Sequence, residues 1–422
     1  MVRTPRAKRA RGPGIILTVM VTTIAPPAVG ARTTLAALPP LSLYVHLPWC
    51  LRKCPYCDFN SHELRGADIG QLERAYGAAL VADLESVLPS VWGRRVHSFF
   101  FGGGTPSLFS AAAIEALLAA FRARLPIAAD AEITLEANPG TFEADRFRAY
   151  RDAGINRLSV GIQSFHPAHL QALGRVHDAE QARLATQIAR EVFTNFNLDL
   201  MYALPGQLEA EAIADAEAAV ASGATHVSAY HLTVEQNTFF ARHPPPLPDV
   251  DSAAAIGDAV ERVLGAAGFR HYETSAHARP GYECRHNLNY WRFGDYLGIG
   301  AGAHAKVSYP TRITREVRAR TPKEYIRRVA SGEQVVERRE LTRAELPFEF
   351  MLNALRLADG FPLALFCERT GLPVSALAVN LDRAEALGLV TRDHVEVRPT
   401  LLGRRHLNDL LEIFLPDPER SP

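Results

Sequence analysis

Short runs of apolar, β-branched and aromatic residues recur along the chain at positions 43–47, 96–101, 133–137, 158–163, 198–202 and 227–232. Each has the length of a buried strand. Between them, at 69–87, 114–125, 143–153, 180–192 and 209–221, apolar residues return at helical spacing. Six strand-helix units in alternation predict an α/β chain with a parallel sheet and right-handed crossovers, either doubly wound or curled toward a barrel. Past about residue 310 the pattern changes. Residues 312–343 hold ten basic and five acidic side chains, and helical patterning resumes at 347–357. The stretches 375–387, 395–398 and 401–415 then read as helix, wing and helix. Three segments follow: an extension over 1–40, a main domain over 41–310, and a small C-terminal α+β, winged-helix-like domain over 311–422. The modest charge run of the last points to a lid or docking role rather than to DNA.

The unusual residues stand directly after the strands. Cys50, Cys54 and Cys57 follow the first, Gly102-Gly103-Gly104-Thr105-Pro106 the second, and Glu136-Ala137-Asn138-Pro139 the third. Gln163-Ser164 follows the fourth and Leu204-Pro205-Gly206 the fifth. In barrels and open parallel sheets alike that edge binds ligands, so one composite site is predicted there.

Composition narrows the class. The chain has 422 residues, 47% hydrophobic and 22% charged, which excludes a disordered, collagen-like or multispanning membrane protein. Its 46 basic and 46 acidic residues balance only in sum. Residues 1–40 hold six basic residues and no acid, leaving the rest at a net charge of −6, which argues against a nucleic-acid binder. Those 40 residues have the composition of a disordered extension, although the basic start, the apolar run 15–24 and Val29-Gly30-Ala31 imitate a targeting peptide. The apolar run falls short of the ~20 residues a spanning helix needs.

Three of five cysteines fall within eight positions, which suits a metal or cluster site in a reducing, cytoplasmic setting rather than a disulfide framework. Three thiolates on one loop can hold three irons of a cubane and leave the fourth open to an exogenous ligand. Zinc is the competing metal, with His46 and His62 as candidate further ligands.

The CxxxCxxC spacing after a first strand, with GGGTP after the second, resembles the radical S-adenosylmethionine (SAM) superfamily. Within it, YVHLPWC...CPYCDFNSH resembles the branch that holds oxygen-independent coproporphyrinogen III oxidase and the heme chaperone HemW, from about Tyr44 to the C-terminal domain. The resemblance implies a partial (β/α)6 TIM-like barrel, with Cys50, Cys54 and Cys57 on a [4Fe-4S] cluster. It implies SAM contacts at Tyr44, Tyr56, Gly103, Gly104, Thr105, Glu136, Gln163, Arg175, Asp199 and His304. Plain packing remains the alternative for Tyr44 and Tyr56, and a hydrogen-bonded strand-end carboxylate for Asp199. Gly298-Ile299-Gly300-Ala301-Gly302 lacks GxGxxG spacing and looks like the family's segment closing the SAM site, with His304 at its rim.

Two features separate the branches. Asp58-Phe59 stands where the oxidase continues to another cysteine, and His286-Asn287-Leu288-Asn289-Tyr290-Trp291 matches the HNxxYW motif of the heme chaperone. A histidine beside aromatics suits heme, with a satisfied histidine in an aromatic turn as the plainer alternative. The resemblance therefore implies binding of heme and delivery to acceptor hemoproteins, with residual SAM cleavage. The alternative is radical decarboxylation of coproporphyrinogen. An electron donor such as flavodoxin or ferredoxin, a homodimer, and peripheral membrane contact through the acceptors come with the family. No catalytic residue is assigned, and two radical events per substrate are not expected, because residues 1–40 do not resemble the oxidase's N-terminal segment.

Overall fold

The computed structural model describes residues 34–416 apart from 67, 142 and 143, so residues 1–33 of the extension predicted over 1–40 lie outside the described residues. Six parallel strands lie where the apolar runs predict them: β1 (Leu41–Leu47), β2 (Val96–Gly103), β3 (Ile127–Ala137), β4 (Arg157–Gln163), β5 (Phe196–Tyr202) and β6 (His226–His231). The intervening helices are α1 (Ile69–Val87), α2 (Ala111–Arg122), α3 (Ala144–Ala153), α4 (Ala179–Val192) and α5 (Glu209–Ala221). Their starts are written locally. Asp68 accepts from the Gly70 and Gln71 N–H groups, Ser110 from Ala113, and Asp178 with Gln181 forms a capping box.

The sheet is larger than predicted. After α6 (Val250–Ala266) come β7 (Arg270–Glu273) and β8 (Ala276–Ala278), and after α7 (Arg285–Trp291) come β9 (Asp295–Ile299), β10 (His304–Tyr309), β11 (Arg312–Arg318) and, beyond α8 (Pro322–Ala330), β12 (Val335–Glu340). The order is β12-β11-β10-β9-β1-β2-β3-β4-β5-β6-β8-β7. Strand β9 is a seventh parallel strand, paired in register with β1. Among the described residues no ladder joins the two edge strands, so the barrel is partial.

Alternation along the strands sorts side chains to two faces. Leu43, Val45, Phe99, Phe101, Ile133, Leu135, Leu158, Val160, Leu198 and Val227 face the helices in one continuous apolar cluster. Their neighbours Ser42, Ser98, Thr134, Ser159, Asn197 and Ser228 are buried too, but on the polar inner face. Ligand chemistry therefore has a polar lining to attach to.

A second cluster fills the C-terminal domain: α9 (Leu346–Ala354), α10 (Leu363–Thr370), α11 (Ala378–Ala386) and a three-stranded sheet of β13 (Phe361–Pro362), β14 (Val390–Arg392) and β15 (Glu396–Pro399). The β14-β15 hairpin is the wing. This cluster also takes in Leu35, Phe293 and Ile313. Leu35 N–H donates to the Pro310 carbonyl at 2.8 Å and its side chain is buried, so residues 34–40 belong to the packed body and not to an extension. Likewise β11 and β12 carry the main sheet past residue 310 to Glu340. No helix among the described residues is long and apolar enough to cross a membrane.

Candidate functional site

Strand β1 delivers the chain to the cysteine loop. Trp49–Cys50 pairs with His62–Glu63, and the Leu64 N–H donates to the Cys50 carbonyl at 2.9 Å, closing the loop at its base. The three thiols are half-buried, and each has a polar neighbour. Thr105 Oγ1 donates to Cys50 Sγ at 3.5 Å, Arg175 Nη1 donates to Cys54 Sγ at 3.5 Å, and Ser61 Oγ lies 3.9 Å from Cys57 Sγ. Burial pushes the Cys50 and Cys57 thiols up. Thiols in such a place ionise when a metal replaces the proton, so the donor set fits metal ligation.

Spacing separates the two metals. Sulfurs around one zinc, with bonds of ~2.3 Å, stand about 3.8 Å apart, whereas a cubane takes each sulfur on a different iron. Among the described residues the three thiols form no group whose ligand atoms all lie within 4.8 Å, which suits the cluster. His46 is no free fourth ligand, since its Nδ1 lies 2.9 Å from Tyr44 Oη and its Nε2 2.9 Å from the Asn60 carbonyl. His62 keeps a buried Nε2 without a partner, but it joins no converging group either.

The glycines after β2 are required by close approach. A Cβ on Gly103, at φ +118°, would stand 2.6 Å from the His46 ring, and one on Gly104 would stand 2.5 Å from the Trp49 carbonyl oxygen. The Gly103 N–H donates to Glu136 Oε2 at 3.1 Å. Burial, with Asp199 adding to it, pushes the Glu136 carboxyl up to about 8. It is thus neutral near pH 7 until a cation is placed beside it. Asp199 itself accepts from Asn197 Nδ2 at 2.7 Å and Ser159 Oγ at 3.2 Å, so it is hydrogen-bonded as the plainer alternative expects, but it stands in the middle of β5 and not at its end.

Arg175 ties a corner together. Its Nη2 donates to the Gly161 carbonyl at 2.8 Å and its Nη1 reaches Tyr56 Oη at 3.4 Å as well as Cys54. The Tyr56 ring packs beside Phe240, Leu173 and Met201, so its ring is a packing element and its hydroxyl a contact for Arg175. Gln163 closes β4 at φ +69°, a strained position for a residue with a Cβ, where the ladder to β5 shifts register.

One cavity of about 710 Å³ opens at this edge, within the range of small-molecule sites. Its wall unites Tyr44, Gly103, Glu136 and His304 with Tyr290 and Trp291 of α7. It also includes His46 of β1 and Asn60 of the cluster loop, together with Tyr296, Arg318 and Arg320, which the motifs do not reveal because they lie on β9, on β11 and just past it, elements absent from the predicted alternation. Phe59, 63% exposed, stands on its lip.

His286 is not on that wall. It is 2% exposed, stacks on Phe100 with centroids 5.0 Å apart, and has both nitrogens engaged, Nδ1 3.3 Å from Ser98 Oγ and Nε2 2.9 Å from Tyr290 Oη. Burial lowers it to about 3, so it is neutral. As the structure stands it is the satisfied histidine of the alternative, not an open axial ligand. Asn287 is half-buried on the same helix and also absent from the wall, while His304 is exposed at the mouth. Cys284 is a buried bystander whose thiol faces Glu132 Oε1 at 3.6 Å.

The radical SAM superfamily matches residues 44–219 and the HemN C-terminal domain residues 341–406. Heme chaperone HemW of Escherichia coli (strain K12) is 47% identical over 380 residues, covering 90% of this chain and 99% of that one. Heme chaperone HemW of Haemophilus influenzae is 46% identical over 382 residues, covering 90% and 98%. Among solved structures, coproporphyrinogen III oxidase (HemN) from Escherichia coli superposes with a TM-score of 0.76 at 24% identity, covering 89% of this chain and 90% of that one, a likeness of fold.

Proposed function

The chain belongs to the heme chaperone HemW family of the radical SAM superfamily, and from that premise we propose that it binds heme in the strand-end cavity and delivers it to hemoproteins. The observation that carries this is the placement of Tyr290 and Trp291 in one wall with Tyr44, Gly103 and Glu136. The aromatic rings of Tyr290 and Trp291 suit a flat apolar ring, and exposed Arg320 in the same wall suits its anionic edges, while the Arg318 guanidinium stays buried against Asp83 and Glu316. Cys50, Cys54 and Cys57 would hold a [4Fe-4S] cluster, which when bound supplies an iron without a protein ligand for SAM. Glu136 then offers its carboxylate to the cationic amine, and the bare backbone at Gly103 and Gly104 leaves room for the approach. Axial ligation by His286 requires its ring to leave Ser98 and Tyr290, whereas His304 already faces the cavity. Acceptor hemoproteins, a flavodoxin or ferredoxin donor and a second copy of the chain are the partners this role calls for.

Heme titrated into the anaerobically reconstituted chain is expected to give a saturable Soret shift. In parallel, coproporphyrinogen III with reductant and SAM should stay unchanged. Absence of any Soret change would overturn the chaperone role, and decarboxylated product would move the chain to the oxidase reaction.

A further inference from the structure

A second group of ligating side chains lies outside the cavity. His166 and His169 stand at the start of the short helix Pro167–Ala172, which follows β4, and Glu211 stands in the first turn of α5, which follows β5. None of the three belongs to the cavity wall. Their ligand atoms all fall within 4.8 Å of one another, the one such group of three among the described residues. From this we infer that His166, His169 and Glu211 form a binding site for a divalent transition metal of the zinc class, separate from the cysteine cluster.

Three observations support the site. First, the two Nε2 atoms approach opposite oxygens of one carboxylate, His169 at 3.1 Å and His166 at 3.6 Å. Ligands on a tetrahedral ion with ~2.0–2.1 Å bonds stand about 3.4 Å apart, so both histidine-carboxylate separations already suit one ion. Only the two histidines must draw closer, and the His166 side chain, 43% exposed, has room to turn.

Second, hydrogen bonding alone does not account for His166. His169 and the Leu208 N–H both bond Glu211 Oε2, while the His166 contact to Oε1 at 3.6 Å is too long for a good hydrogen bond and the His166 Nδ1 is buried without a partner. Third, the supporting backbone is held. Asp215 accepts from Ser164 Oγ at 2.6 Å and from the Phe165 N–H at 2.7 Å, and Glu211 accepts from the Leu208 N–H at 2.8 Å. Such outer contacts orient ligands before an ion arrives. Two imidazoles and a carboxylate are a borderline donor set that prefers zinc-class ions to calcium or magnesium.

The site has a structural consequence. The helix carrying His169 leads into Arg175, whose N–H donates to the Leu170 carbonyl and whose side chain touches Cys54. An ion at His169 would brace that approach to the cluster loop. The reconstituted full chain, dialysed against micromolar zinc, is to be assayed for zinc and iron together by plasma mass spectrometry. Zinc should be retained with no loss of iron, and retention should fall roughly tenfold or more in His166→Ala and in the isosteric Glu211→Gln. Zinc should also raise the thermal midpoint of the parent chain and not that of His166→Ala. No retained zinc, zinc that replaces iron, or equal retention in parent and variants each overturns the site.

Discussion

At the scale of single residues, Glu136 shows how position fixes chemistry. Its carboxyl ionises near the ordinary 4.5 in the unfolded chain but near 8 in the folded one, because burial and then Asp199 disfavour its charge. Between those values the folded state keeps a proton that the unfolded state has lost. Stability is therefore full below about pH 4.5 and declines as the pH rises toward 8. Each unit corresponds to about 1.4 kcal/mol, and after allowing for water in the cavity the decline should be about 1–3 kcal/mol. Urea unfolding of the ligand-free chain at pH 5 and pH 8 is expected to show it, and Glu136→Gln should flatten the slope. Equal slopes in parent and variant would remove the buried proton from the account. The sequence places this carboxyl at a strand end beside GGGTP, but its protonation depends on depth inside the barrel, which no local pattern carries.

At the scale of elements, α7 divides its motif between two jobs. His286 fills a closed slot between Phe100, Ser98 and Tyr290, whereas Trp291 lines the cavity. Removing the buried imidazole in His286→Ala opens a void and strips partners from two hydroxyls, at a cost of about 2–4 kcal/mol. His286→Phe should keep the stack on Phe100 and recover part of that loss. Trp291→Ala should instead weaken the Soret response with a smaller fall in thermal midpoint. A heme response lost in His286→Phe at unchanged stability would show that the histidine reaches the iron after all. The six parallel strands are legible because each carries a dense apolar run, and α1, α2 and α4 because side chains cap their starts. Strand β9 is not, since Asp295-Tyr296-Leu297-Gly298-Ile299 interrupts its apolar residues with a buried aspartate and a glycine. The polar inner face was in view as Ser42, Ser98, Ser159 and Asn197 alternating with leucine, valine and phenylalanine, but its meaning depends on which face the barrel encloses.

At the scale of the whole molecule, the neutral total conceals where the body begins. The composition break falls at residue 40, yet among the described residues Leu35 is already packed, in one cluster with Phe293, Ile313 and Phe350 that joins the main sheet to the C-terminal domain. The next residues hold a buried charge network. The Pro39 carbonyl accepts from Arg94 Nη2 at 2.6 Å, the Pro40 carbonyl accepts from the Asp295 N–H at 2.9 Å, and Asp295 pairs with Arg94 and Lys306, each at 2.8 Å. A chain beginning at residue 34 keeps all of this and should match the full chain in iron content and thermal midpoint. One beginning at residue 41 loses the burial of Leu35, about 1.5–3 kcal/mol, and leaves a buried N–H at Asp295 without its acceptor, about 1–3 kcal/mol more. Asp295 opens β9, and β9 runs into the Gly300–Gly302 turn that sets His304 at the cavity mouth. The shorter chain should therefore show a lower midpoint together with a weaker Soret response. Its iron content should hold, because the cysteine loop is closed within itself by the pairing of Trp49–Cys50 with His62–Glu63 and by Thr105. Equal midpoints for the two shortened chains would return the boundary to residue 41.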